Sequence, residues 1–173
     1  MSTSGPPRIL GIDPGLQVTG YGVLEISDRR PRVCEAGVIR GTERERDKLE
    51  LPRRLANLYN GIVEVIDQYR PQAMAVEQLY AHYNHPRTAI LMGHARGVLL
   101  LAAGQRGIPV TSYNATRIKK AITGYGRASK AQMQHAMLRE LGLASLPEPA
   151  DVADALAAAL CHYYAVKLVG DAS

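Results

Sequence analysis

The 173-residue chain has no Trp and no Phe, and only two Cys. Leu, Ile, Val, Ala, Met and nine Tyr must therefore build any core. Cys34 and Cys161 lie far apart without CxxC spacing. That excludes a disulfide framework and a Cys-based zinc site, and two lone buried thiols would suit a reducing cytoplasm. Long apolar runs are also missing. The strongest, Val98 to Ala103, is far short of the ~20 residues needed to span a bilayer. Residues 1–7 are polar and carry no apolar core of a signal peptide. They are expected to be a disordered tail before a single domain over 8–170, with no membrane association.

A formal net charge of +5 fits a polyanionic partner, nucleic acid first among them, without requiring one. At this length one domain has room for a sizeable core.

The chain reads as an α/β fold. Ile9 to Asp13 is a short apolar strand that ends on an acid and turns at Pro14–Gly15. Gln17 to Ile26 alternates as a second strand, in which Gly20 and Gly22 leave one face bare for a ligand or another backbone. After a turn at Asp28–Pro31, Arg32 to Ile39 completes an antiparallel meander. Residues 43–69 change period: Leu51, Leu55, Leu58, Ile62, Val65, Ile66 and Tyr69 recur at helical steps, behind a charged start that suits a solvated face or loop. Pro52 fits the first helical turn. Ala73 to Glu77 is then a buried parallel strand, and it too ends on an acid. Ligands of such sheets often lie beyond the carboxyl ends of strands, where Asp13 and Glu77 both point.

Thr88 to Gln105 is a second long helix, apolar on every side from Val98 onward. Either it is sandwiched within the domain or its outer side packs on a second copy, with Gly93 and Gly97 allowing close approach. Gly107 to Tyr113 is a fifth strand. Asn114 can cap a helix running through Ile122, and Ser129 another over Lys130–Leu141. The last helix spans Ala150–Leu168.

Asp151 and Asp154, three residues apart, share one face of that last helix. Acids in a first helical turn are also what the helix dipole favours. However, the small residues Ala155 to Ala159 would let the helix lie tight on the sheet and bring this pair to Asp13 and Glu77. Four carboxylates with no matching His/Cys set suit hard ions, Mg²⁺ or Mn²⁺, rather than Zn²⁺. Two such ions about 4 Å apart could activate water and stabilise the leaving oxygen of a phosphodiester, with Asp13 shared between them. Arg117, Lys119, Lys120, Arg127 and Lys130 cluster around Gly124 and Gly126. They form either an ordinary solvated surface or a track for a phosphate backbone. Tyr80, three residues past Glu77, either packs or stacks on an unpaired base. The histidines form no metal set: His82 and His85 share a loop, His94 and His135 are scattered, and His162 follows Asp154 on roughly the same helical face.

The motifs Gly-Ile-Asp-Pro-Gly-x-x-x-Thr-Gly-Tyr-Gly (11–22), Ala-Val-Glu-Gln (75–78), Gly-x-Ala-Arg-Gly (93–97) and Ala-Asp-x-Ala-Asp-Ala-Leu-Ala (150–157) resemble, in order and spacing, the RuvC Holliday-junction resolvases. The resemblance covers nearly the whole chain. It implies a ribonuclease H-like fold with a five-stranded mixed sheet flanked by helices, and a homodimer with two active sites. It also implies a metal-dependent endonuclease that resolves four-way DNA junctions by paired symmetric nicks, working with a branch-migration motor. The family's acidic tetrad falls on Asp13, Glu77, Asp151 and Asp154, its two important lysines on Lys119 and Lys130, and its junction-contacting aromatic on Tyr80.

Two other classes compete. A non-catalytic junction-binding protein should lack one of the acids, and none is missing. An actin-like kinase or ATPase also opens on an Asp-x-Gly strand, but needs two related domains, for which 173 residues are too few.

Overall fold

The structure, a computed structural model, describes residues 5–42, 50–79 and 85–170, with side chains of the last helix followed to Lys167. Five strands, β1 (Arg8–Asp13), β2 (Val18–Ser27), β3 (Arg30–Arg40), β4 (Ala73–Glu77) and β5 (Val110–Tyr113), form one sheet in the order β3-β2-β1-β4-β5. β1, β2 and β3 make the expected antiparallel meander, and β4 and β5 join in parallel. The helices are α1 (Leu51–Tyr69), α2 (Pro86–Gln105), α3 (Ala115–Thr123), α4 (Lys130–Glu140) and α5 (Ala150–Gly170).

Strand alternation sorts the core into two layers. Leu10, Ile12, Met74 and Val76 pack under α1 and α2, together with Leu58, Ile62 and Leu99. Ile9, Leu24 and Ala75 face the other way, onto α3, α4 and α5. The helical period read from α1 is the one it buries: Leu58, Ile62, Val65 and Ile66 turn inward, each contributing about 1.5–3 kcal/mol by leaving water. α5 is buried along its length from Val152 to Cys161, apart from half-buried Asp154. Its small residues explain how it approaches so closely. A Cβ on Gly11 would lie 2.0 Å from the Ala155 backbone oxygen, so helix and strand touch backbone to backbone.

The helix starts follow the capping residues. The Asn114 side chain accepts from the Arg117 N–H at 2.7 Å. Ser129 and Gln132 form a reciprocal capping box at the start of α4. Pro52 occupies the first turn of α1, and Pro86 begins α2 two residues before the expected Thr88.

Several expectations need correction. Cys34 is exposed, because β3 is an edge strand whose outward residues meet solvent; Cys161 is buried. The turn before β3 is confined to Asp28 and Arg29, both left-handed, and Pro31 lies inside the strand. An edge strand tolerates a proline because one side of it has no neighbour to bond. β5 begins at Val110 rather than Gly107, since Gly107 is still closing the end of α2. The Pro7 carbonyl accepts from the Ile26 N–H at 2.8 Å, so the sheet already holds the end of the segment read as a free tail; residues 1–4 lie outside the described residues. Residues 43–49, read as the charged approach to α1, lie outside them too.

Candidate active site

β1 and β4 run side by side in parallel, with Ile12 opposite Val76. The next residue of each, Asp13 and Glu77, therefore emerges at the same end of the sheet. Because Ile12 and Val76 face α1 and α2, alternation turns both acids toward α5. α5 runs antiparallel to β1: Gly20, the cross-strand partner of Asp13, lies under Asp151, whereas Gly11 lies under Ala155 and Ala159. Its first turn thus delivers Asp151 and Asp154 to the end where Asp13 and Glu77 stand. The bare face of β2 at Gly20 and Gly22 serves a helix, not a ligand: their Cβ atoms would collide with Asp151 and Leu156.

Asp13, Glu77 and Asp154 are all shifted, and Asp151 is among the charges that act on Asp13 and Asp154. Burial pushes the Asp13 carboxyl up to about 8, and the charges of Glu77, Asp154 and Asp151 act in the same direction against Lys130. Glu77 is raised by burial and then by Asp154, with Lys119 and Lys130 opposing. Asp154 is raised by burial; Lys130 pulls it down, Asp151 pushes it up and Lys119 pulls it down. Among the described residues, no three Asp, Glu, His or Cys side chains converge into a ready cage for an ion. An all-carboxylate donor set in which burial first, and mutual repulsion after it, oppose ionisation fits a hard divalent cation, which would favour the ionised form.

Of the basic residues, Lys119 and Lys130 are the cations that act on the acids. Lys119 is half-buried on α3 and Lys130 exposed at the start of α4. Lys120 and Arg127 are exposed on the same segment and are not among the charges felt by the acids. The Arg117 guanidinium lies 4.9 Å over the Tyr113 ring. Tyr80 and His82 lie outside the described residues. His162 does not join the site: eight residues is about 12 Å along a helix, and its Nδ1 is 2.9 Å from the Tyr113 hydroxyl.

Two contributors were missed by reading the sequence. Thr19 is fully buried, and its Oγ1 accepts from the Gly15 N–H and donates to the Gly15 carbonyl, 3.2 and 2.7 Å. It locks the turn that follows Asp13; its place in the Thr-Gly-Tyr-Gly motif was the available signal. Arg96, the arginine of the Gly-x-Ala-Arg-Gly motif, lines a cavity of about 360 Å³ together with Asp13 and Glu77.

Comparison with known proteins settles the lineage. The sequence model of the family described as crossover junction endodeoxyribonuclease RuvC matches residues 9–162. The chain belongs to the RuvC family. A Rhodopirellula baltica protein named crossover junction endodeoxyribonuclease RuvC is 54% identical over 90% of this chain and 85% of its own length. The solved structure of Thermus thermophilus RuvC in complex with Holliday junction substrate is 30% identical, with a TM-score of 0.84 over 94% of this chain and 96% of that one. The yeast mitochondrial Holliday junction resolvase shares the fold at 15% identity, with a TM-score of 0.66 over 92% of this chain and 78% of that one. The five-stranded mixed sheet flanked by helices is therefore the ribonuclease H-like architecture of RuvC proteins.

Proposed function

We propose that this chain is a metal-dependent endonuclease that resolves four-way DNA junctions by paired symmetric nicks in recombination and repair. The observation that carries this reading is the gathering of four acids from β1, β4 and α5 at one end of the sheet, in a chain of the RuvC family. Asp13, Glu77, Asp151 and Asp154 would hold two Mg²⁺ or Mn²⁺ ions. Such ions, when bound, supply an activated water and stabilise charge on the leaving oxygen of a phosphodiester.

The chain's own residues do the rest. Asp13, whose buried carboxyl favours the protonated form, would give up its proton to serve as a ligand if a divalent cation were bound. Lys119 and Lys130 keep Glu77 and Asp154 closer to ionised, and sit where a phosphate arriving at the acids meets positive charge. Arg117, Lys120 and Arg127 extend that charge along α3 and the loop to α4, and Tyr80 stacks on an opened base. None of this DNA track depends on reading base edges, which suits recognition of a branched shape.

Paired nicks require two copies. The outward face of α2 carries Ile90 and Leu101, 63% and 53% exposed, and between them Gly93 and Gly97, where a Cβ would meet nothing within 4 Å among the described residues. An apolar stripe with open glycines suits close packing of α2 on α2 of a second copy. A branch-migration motor is the further partner, and the cytoplasm the compartment.

The test is a nicking assay on a synthetic four-way junction and a plain duplex, with Mg²⁺, Mn²⁺ or EDTA. Paired nicks confined to the junction and abolished by EDTA are expected. Tight junction binding without cleavage under either metal would instead make this a binding protein.

A further inference from the structure

Among the described residues no carboxylate neutralises Arg96. It projects from α2 into the wall of the cavity that holds Asp13 and Glu77. One terminal nitrogen donates to the Ser112 hydroxyl at 2.6 Å. Its Nε is shut off from solvent and has no acceptor among the described residues, an arrangement that is costly when left uncompensated. No carboxylate pairs with it among the described residues. Nor is its charge spent on the acids: the cations that pull on Asp13, Glu77 and Asp154 are Lys119 and Lys130.

We propose that Arg96, oriented by Ser112, holds a backbone phosphate of the cleaved strand other than the scissile one, in the cavity between α2 and the start of α3. A guanidinium fixed by one hydrogen bond keeps other N–H groups free, and its planar fork matches a phosphate's oxygens. At about 360 Å³ the cavity equals the liquid volume of roughly a dozen waters, room for a sugar–phosphate unit beside the acids. The first turn of α3, at Ala115 and Thr116, forms the facing wall, and its dipole favours the same sign of charge. The acids repel a DNA strand before cations arrive. A phosphate clamp at Arg96, in addition to Lys119 and Lys130, would hold the strand at a second point and set which bond lies over Asp13.

This inference rests on the reading of the chain as a junction nuclease, and the experiment separates the two. Junction affinity is measured in EDTA, where no cleavage occurs, with a set of four-way junctions each carrying one neutral methylphosphonate near the crossover. The wild-type protein is expected to lose about tenfold in affinity at one non-scissile phosphate. Arg96→Gln should bind the unmodified junction about tenfold more weakly and be indifferent to that same substitution, with a salt slope shallower by about one. Arg96→Lys, which keeps the charge without the fork, should recover part of the affinity and part of the sensitivity; if Arg96→Gln does not fold, this variant decides. Equal losses at every phosphate for wild type and variant would make Arg96 structural and overturn the proposal. Failure of the wild type to bind the junction at all would overturn the nuclease reading first, and this one with it.

Discussion

Gly20 lies directly beneath Asp151: a Cβ on Gly20 would stand 2.1 Å from the Asp151 backbone oxygen. Gly20 is also the cross-strand partner of Asp13. One absent side chain therefore sets how near the acids of α5 come to the acid of β1. Gly20→Ala should push the first turn of α5 off the sheet. Overpacking of this kind costs about 1–3 kcal/mol in stability. The larger effect is on nicking, expected to fall on the order of 100-fold through misplacement of Asp151 and Asp154, with junction affinity little changed. A Gly20→Ala protein that nicks at the wild-type rate would show that the close approach does not position the acids.

Asp13→Asn should abolish cleavage and keep junction binding, since the neutral amide adds no negative charge to repel phosphate. Retained nicking would take Asp13 out of the mechanism.

The same carboxyl makes metal-free stability depend on pH. Asp13 is raised from 3.8 to about 8 in the fold. Between those values the folded chain holds a proton that the unfolded chain has released, so stability falls as pH rises through that window. Metal-free wild-type protein should melt lower at pH 8 than at pH 5. Asp13→Asn should flatten that slope and raise the pH 8 melting temperature, on the order of 5 °C for a chain this long. Mg²⁺ or Mn²⁺ should raise the wild-type melting temperature by binding the folded state, with proton release at neutral pH. Identical pH profiles for the two proteins would place the destabilising charge elsewhere.

The outer face of α2 can be tested without touching the acids. Leu101→Glu should give a monomer by light scattering, with unchanged circular dichroism. Gly97→Ala meets nothing within 4 Å among the described residues, and alanine is the better helix former by about 1 kcal/mol. It should leave the monomer at least as stable and yet weaken the dimer. A dimer that survives both changes assembles through another surface.

Ser129→Ala removes half of a reciprocal cap and should cost about 1 kcal/mol in chemical denaturation. It also loosens the backbone beside Lys130, so nicking should drop more than stability alone explains. A variant as stable as the wild type would mean that α4 is held by packing alone.

Much of this molecule is written locally. Two apolar runs that each end on an acid, an Asp-x-x-Asp helix start followed by small residues, and the caps Asn114 and Ser129 are short-range features. Their strand, helix and capping meanings follow from backbone geometry and hydrogen bonding within a few residues. They were sufficient to locate the described strands and helices along the chain and to mark the four acids as candidates. Ends of elements were less legible, as with β5 and the turn at Asp28 and Arg29, because neighbouring strands decide where pairing stops.

What only the tertiary structure decided depends on residues far apart in the chain. The exposure of Cys34 follows from β3 lying at the sheet edge. The bare faces of Gly20 and Gly22 are filled by a helix that begins about 130 residues later. The isolation of His162 from the acids, the lock of Thr19 on Gly15 and the place of Arg96 in the cavity wall beside Asp13 and Glu77 are likewise invisible in composition or period. A sequence states which groups a chain carries and how they repeat. Whether a cation finds an anion, or a glycine finds a backbone against it, is settled by which surfaces the hydrophobic core brings together.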